Sequence, residues 1–199
     1  MHTHQTYQQI LSAQALSDDE LVKRIAAGCR TAMHALYARH SRRVYRFALR
    51  LLGDPAAADD VVSQVFLDVF RAAPRFEGRS SVSTWLLAIC RNKAYLLRRR
   101  RAPDQLDEGM VSMIESTDET AEDSLQRQDV AKIIKAALDR LSAAHREIID
   151  LVYYQNLSVE EAGEVLKIPK NTVKTRMFYA RKHLAALLGK TAIGKEVPV

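Results

Sequence analysis

Residues 157–188 read LSVEEAGEVLKIPKNTVKTRMFYARKHLAALL, two short helical patterns around a tight turn. Ser158 and Glu161 have the spacing of a capping box, in which the hydroxyl takes a helix-start N–H and the carboxylate reaches back. The first helix is expected to run to about Leu166, burying Val159, Ala162, Val165 and Leu166. Pro169 stops continuation and presets a new start, so a second helix opens near Lys170. On it Val173, Met177, Ala180, Leu184 and Leu187 recur at steps of four, three, four and three, which makes one apolar stripe. The opposite face carries Asn171, Lys174, Thr175, Phe178 and Lys182, with Lys170 at the tip. A helix divided in this way can dock on its partner while offering amides, hydroxyls and cations to a major groove. The other reading is a surface helix with a solvated basic face.

The rest of the chain favours the groove. At 199 residues it can hold one ordinary domain or two small ones. Glycine is scarce, Leu, Ala and Arg are abundant, and no stretch sustains strand alternation, so an all-α protein is expected. The formal charge of +6 is unevenly spread: residues 1–101 carry +9, residues 102–126 carry −8, and residues 127–199 carry +5. Two basic blocks flank a segment without a single cation. Basic blocks favour polyphosphate, because each neutralised phosphate releases condensed counterions. An anionic membrane would also suit them, but there is no long apolar span or lipidation signal. Cys29 and Cys90 lack metal-ligand spacing and are expected as buried thiols in a reducing cytosol. The N-terminus is polar where a signal peptide needs an apolar core, and His2 and His4 do not constitute a metal site.

Ser17 and Glu20 predict a second capping box, opening a helix that Gly28 closes. A longer helix is expected over about Thr31 to Leu52. On it Met33, Leu36, Tyr37, Val44, Phe47, Ala48 and Leu51 share one side, with Arg39, Arg42, Arg43, Arg46 and Arg50 mostly outward. Gly53 ends it, and Asp54 with Pro55 starts the next helix, to about Ala73. That helix is expected to bury Val61, Val65, Leu67, Val69 and Phe70 to varying degrees. A polar loop runs from Arg75 to Ser83, and a fourth helix from about Ser83 to Arg101. Trp85, Leu86, Ile89, Ala94 and Leu97 are read as inward, and Arg91, Asn92, Lys93 and Tyr95 as partly outward. Arg98 to Arg101 close it, either as a phosphate contact or as a solvated cationic terminus. Residues 102–126 read as an acidic linker that self-repulsion keeps extended. Its reach of about 80 Å spans two DNA turns of about 70 Å. Helical periodicity returns from Gln128, with Val130, Ile133, Ile134, Ala137, Leu138 and Leu141 in one stripe. Ser142 opens a further helix with Ile148, Ile149, Leu151 and Val152.

A basic four-helix block, an acidic tether and a C-terminal helix-turn-helix, in that order, resemble a bacterial RNA polymerase sigma factor of the sigma-70 family. The resemblance is to the small two-domain extracytoplasmic-function type and covers about residues 17–188. In the second domain it rests on LSVEEAGEVLKIPKNTVKTRMFYARKHL. In the first it rests on the run from Leu36 to Gly53, on the DD..S.VFLDVF segment and on FEGRSSVSTWLLAICRNKAYLLRRRR. It implies a region 2-like domain over 17–101, a linker over 102–126 and a region 4-like domain over 127–188. It also implies a job without bond chemistry or cofactor: joining core RNA polymerase, reading two promoter elements and capturing bases as strands part. An anti-sigma protein as regulator, a cytoplasmic location and no membrane insertion belong to the same expectation.

Carried over position by position, the resemblance implies that Asp60, Gln64, Phe66 and Leu67 meet the polymerase clamp. Phe76, Gly78, Arg79, Ser80, Ser81, Thr84, Trp85, Asn92, Lys93, Tyr95 and Arg98 would face the melted minus-ten element. Lys170, Asn171, Thr172, Lys174, Thr175, Arg176, Phe178 and Lys182 would face the duplex minus-thirty-five element. Asn171 suits an adenine edge and the lysines suit guanine or phosphate. Phe178 is either set against a thymine methyl or packed on protein, and Trp85 either stacks a base or belongs to the core. Three positions depart from the family pattern. Ser63-Gln64 stands where a Gln-Glu pair is common. Lys167 occupies a turn position where glycine is usual, which lysine can do at negative φ. Gly163 replaces alanine, costing about 1 kcal/mol of helix propensity and allowing closer packing against the second helix.

A free-standing helix-turn-helix regulator is the leading rival, and it leaves the first domain's loop, aromatics and arginine run without a purpose. A sigma-mimicking decoy fits poorly with two basic blocks. A nucleic-acid enzyme lacks its constellations: there is no HxE with CxxC, no phosphate-gripping glycine loop and no His/Cys nucleophile pair. Asp59 and Asp60 diverge by about 100° on a helix and do not make a metal cage.

Overall fold

The computed structural model describes residues 15–101 and 123–189. Helices account for the architecture, and there is no strand among the described residues. The chain divides near residue 104 into two compact units.

In the first unit α1 (Asp18–Ala26), α2 (Arg30–Leu52), α3 (Pro55–Ala72) and α4 (Val82–Arg101) pack around a core of Leu21, Ile25, Leu36, Phe47, Val61, Val65, Leu86 and Leu87. α2 is the central element, touching α1, α3 and α4. Its end follows from Gly53, which takes φ +72° and donates its N–H to the Leu49 carbonyl, a conformation that costs a residue with a Cβ far more. Asp54 then caps α3 through the N–H groups of Ala56 and Ala57, with Pro55 in the first turn. Arg101 at the far end of α4 reaches back to the Asp54 carboxylate at 2.7 Å, tying the helix's last turn to the first turn of α3. At α1 the Ser17 hydroxyl accepts from Glu20 N–H, but the Glu20 carboxylate pairs with Arg24, so only half of the predicted box forms.

The second unit holds α5 (Asp123–Asp139), α6 (Ala143–Ile149), most of α7 (Val159–Leu166) and α8 (Lys170–Leu188), with both α5 and α6 packed on α8. α5 begins at Asp123, so residues 123–126 are helical where the sequence reading places them in the linker; residues 102–122 of that linker lie outside the described residues. α6 passes into a single π turn over Asp150–Tyr154, a widened ladder that α-periodicity does not announce. The capping box on α7 forms in full: Ser158 N–H donates to Glu161 Oε2 at 2.9 Å and Glu161 N–H to Ser158 Oγ at 3.1 Å.

The turn between α7 and α8 departs from expectation. Lys167 sits at φ +56°, in the left-handed region and not at negative φ. The Ile168 N–H closes the turn on the Gly163 carbonyl at 3.0 Å. A Cβ on Gly163 would lie 2.9 Å from the Ile168 carbonyl oxygen, so glycine permits the turn to fold back onto α7. Close approach is therefore present, chiefly against the turn and secondarily against Val173 of α8.

Candidate nucleic-acid interface

Two polar surfaces and one apolar stripe emerge from these elements. In the first unit, the loop after α3 and the start of α4 border an open cavity of about 340 Å³ lined by Arg75, Phe76, Gly78, Arg79, Ser80 and Trp85, among others. Gly78 turns the loop at φ +67°. Phe76 and Trp85 lie with ring centroids 4.7 Å apart and planes inclined by 38°. Trp85 is half-buried at the cavity wall instead of filling the core. The Arg79 guanidinium is paired with Glu77, and Arg75 adds a second cation to the lining.

Several residues expected to face the minus-ten strand do something else. Thr84 is buried, and its hydroxyl lies 2.7 Å from Ser81 Oγ. Ser81 Oγ accepts the Thr84 N–H at 3.2 Å, which caps the start of α4. This pair builds the helix start that carries the loop, and the Thr84 hydroxyl is withdrawn from solvent. Lys93 Nζ bonds Asp68 Oδ2 at 2.6 Å, joining α4 to α3. Asn92 is exposed, while Tyr95 is half-buried between Arg91, 4.6 Å from its ring centroid, and Arg98, at 5.8 Å.

On α3, Asp60, Gln64 and Leu67 are exposed along one stripe, as i, i+4 and i+7 positions must be. Phe66 is not on it. Its side chain is buried, and its ring lies 4.8 Å from that of Tyr37. Leu67 is 56% exposed and Phe70 53%, which reverses the expectation that both help fill the core. Tyr37, 47% exposed, also lies outside the core side assigned to it. Phe70 and Tyr37 were missed as surface groups; the signal for Phe70 was its place three residues beyond Leu67. Cys90 is buried, but Cys29 is only half-buried at the N-cap of α2. A hydrogen bond with Thr31, then one from the Ala32 N–H, holds the Cys29 thiol below its usual pKa.

In the second unit α8 divides as its period requires. Val173 and Ala180 are buried and Met177, Leu184 and Leu187 half-buried, while Lys170, Asn171, Thr172, Lys174, Thr175, Phe178 and Lys182 are exposed. Thr175 spends its hydroxyl proton on the Asn171 carbonyl at 3.0 Å. Phe178 stands 56% exposed near the centre of this face, edge-on to Tyr179 at 5.4 Å. Tyr179 and Arg181 share the exposed surface and were missed. Arg176 belongs to the flank instead. It is half-buried, and its charge acts on His145 of α6. Burial, then the neighbouring His183, then Arg176 push the His145 imidazole below its ordinary pKa. The two histidine rings meet edge-on at 5.1 Å, and His145 Nδ1 is buried without a hydrogen-bond partner.

Among the described residues no group of three or more His, Cys, Asp or Glu side chains could hold a metal ion. None of the described helices is long and apolar enough to cross a membrane. Each of the two units presents cationic and aromatic groups on a helical scaffold.

Comparison with known proteins places these scaffolds. Residues 36–104 match the family model for Sigma-70 region 2, and residues 137–186 match that for Sigma-70, region 4. The ECF RNA polymerase sigma factor SigM of Mycobacterium tuberculosis is 32% identical over 91% of this chain and 89% of its own length. SigW of Bacillus subtilis, another ECF RNA polymerase sigma factor, is 29% identical over 82% of this chain and 92% of its own. Among solved structures, CnrH in complex with the cytosolic domain of CnrY superposes with a TM-score of 0.65 at 27% identity, covering 88% of this chain and 99% of that one. The sigma factor RpoE in complex with the anti-sigma factor NepR from Bartonella quintana gives 0.62 at 26% identity, covering 77% and 94%. With the two sigma-70 regions in order and relatives of this identity along nearly its whole length, the chain belongs to the sigma-70 family of RNA polymerase sigma factors, in its ECF group.

Proposed function

We propose that this protein is a promoter-specificity subunit that binds core RNA polymerase and directs transcription initiation. The observation that carries this reading is the ordered pair of region 2 and region 4 matches, each on a unit with its own basic or aromatic surface. In this reading residues 17–101 bind the polymerase and capture melted minus-ten bases, and the unit ending at residue 188 reads the minus-thirty-five duplex. Its helical part opens at Asp123.

The α3 stripe of Asp60, Gln64 and Leu67, extended by Phe70, suits the polymerase clamp, while Phe66 holds the stripe in place from beneath. An unstacked base enters the cavity beside Phe76 and Trp85. Base opening costs a few kcal/mol, least where strands are already parting, and aromatic stacking recovers about 1–3 kcal/mol per base. On α8, Asn171 and Lys174 present donors to base edges, Lys170 and Lys182 suit phosphates, and Phe178 stands where a thymine methyl would meet it. The protein needs no cofactor and performs no bond chemistry itself. It acts in the cytoplasm, where the polymerase is, and an anti-sigma protein is its regulator, a reading supported by the complex of the similar sigma factor RpoE with the anti-sigma factor NepR.

Affinity capture with purified core polymerase tests the reading against a free-standing regulator. A sigma factor copurifies with core and shifts promoter DNA only in that company. A chain that ignores core and shifts operator DNA alone contradicts it.

A further inference from the structure

We propose that Asp68 and Lys93 are positioning residues for base capture: their ion pair locks α4 against α3 in the register that sets Trp85 beside Phe76. The inference rests on the sigma-factor reading and adds to it a clasp for the cavity.

The cavity lies where the two helices meet the loop between them. Ala72, the last residue of α3, and Trp85, in the first turn of α4, both line it. Back from Ala72, Asp68, Val65 and Val61 recur at steps of four, three and four, along one face of α3. On from Trp85, Ile89 and Lys93 follow at steps of four along α4. Asp68 is thus about 6 Å of helix from one wall and Lys93 about 12 Å from the other. Lys93 Nζ donates to Asp68 Oδ2 at 2.6 Å and joins the two helices at that level.

The apolar part of the interface resists separation more than it resists sliding. Val61, Val65 and Val69 of α3 and Leu86, Leu87 and Ala94 of α4 are buried, and apolar burial has no direction of its own. A short charge-assisted hydrogen bond has one. The Lys93 side chain is 24% exposed and that of Asp68 32%, so water and salt screen this pair less than one in open solvent. Arg71 stands 4.0 Å from the other carboxylate oxygen and is 75% exposed, which makes it the looser partner. A slip or rotation of α4 would carry Trp85 away from Phe76, whose ring centroid lies 4.7 Å from its own.

The test compares affinities of holoenzyme, made from core polymerase and the full chain, for promoter DNA pre-melted across the minus-ten element. Each minus-ten base is removed in turn, leaving an abasic site. The ratio of intact to abasic affinity reads how firmly that base is held. In wild type it should reach about fivefold or more at the captured position, the worth of one stacked base. Asp68→Asn and Lys93→Met should each lower that ratio roughly two- to fivefold, and the double variant should lower it no further than either alone. Asp68→Glu keeps the carboxylate and should keep the ratio. A pair with a merely structural role lowers the melting temperature and leaves the ratio unmoved. A wild-type ratio in Asp68→Asn, a gain in overall affinity there as Lys93 is freed for phosphate, or additive losses in the double variant overturns the inference alone. A wild-type holoenzyme indifferent to every minus-ten base overturns the base-capture reading of the cavity, and one that binds no promoter overturns the sigma-factor reading, the inference falling with either.

Discussion

Gly163 and Lys167 strain the same turn in opposite senses. Gly163 leaves out the Cβ that would collide with the Ile168 carbonyl, and Lys167 holds a left-handed backbone that a Cβ resents. Gly163→Ala should therefore destabilise the second unit by about 1–3 kcal/mol despite alanine's better helix propensity. Lys167→Gly should stabilise it by roughly 0.5–1 kcal/mol, the left-handed penalty less glycine's extra entropy. Chemical denaturation of the full chain reads both; a stabilising Gly163→Ala contradicts the close approach. The sequence makes the oddness of both residues plain, but not the sign of φ, because a turn is set by the chain on both sides of it. Phe178 carries a second residue-scale prediction. Replacing thymines with uracil in the minus-thirty-five element should weaken wild-type holoenzyme at one position and leave Phe178→Ala indifferent there. Equal losses in both proteins would assign the ring to another contact.

At the scale of elements, helical period gave the core faces correctly and misjudged their borders. Leu67 and Phe70 are apolar, and periodicity places apolar residues inside; the outward stripe begun by Asp60 and Gln64 is the better guide. Phe66→Ala should destabilise the first unit by about 3–5 kcal/mol, while Leu67→Asp and Phe70→Asp should leave its melting temperature nearly unchanged and weaken binding to core polymerase. A loss of core binding confined to Phe66→Ala would contradict this division. The family resemblance set Thr84 and Lys93 against the minus-ten element; in the structure Thr84 is buried in the hydrogen bonding of the helix start and Lys93 pairs with Asp68, roles that tertiary packing sets. The π turn at Asp150–Tyr154 and the early start of α5 left no trace in the apolar period.

The packing of α6 on α8 carries a pH dependence. His145 is held below its ordinary value of 6.5 in the folded protein, so the unfolded chain takes up protons first as pH falls. Its contribution to stability is intact above about 6.5 and declines below it until the folded imidazole also protonates. Thermal unfolding should show the second unit losing stability over that window, and His145→Leu should flatten the loss. An identical acid response in both proteins would place the titration elsewhere.

For the whole molecule, the order of the parts was legible because charge is segregated along the chain and each unit has its own apolar core. The cavity was legible only as a loop with an aromatic on each side; that Trp85 lines it was a matter of tertiary packing. Two basic units on one chain imply a joint grip on promoter DNA that weakens steeply with salt, since every phosphate contact releases counterions. The most direct measurement is transcription in vitro from fragments of the native genome, using core polymerase with and without the purified chain. The account predicts new RNA starts that require the chain and vanish when either promoter element is scrambled. Core polymerase that gains no start anywhere on addition of the chain would contradict it.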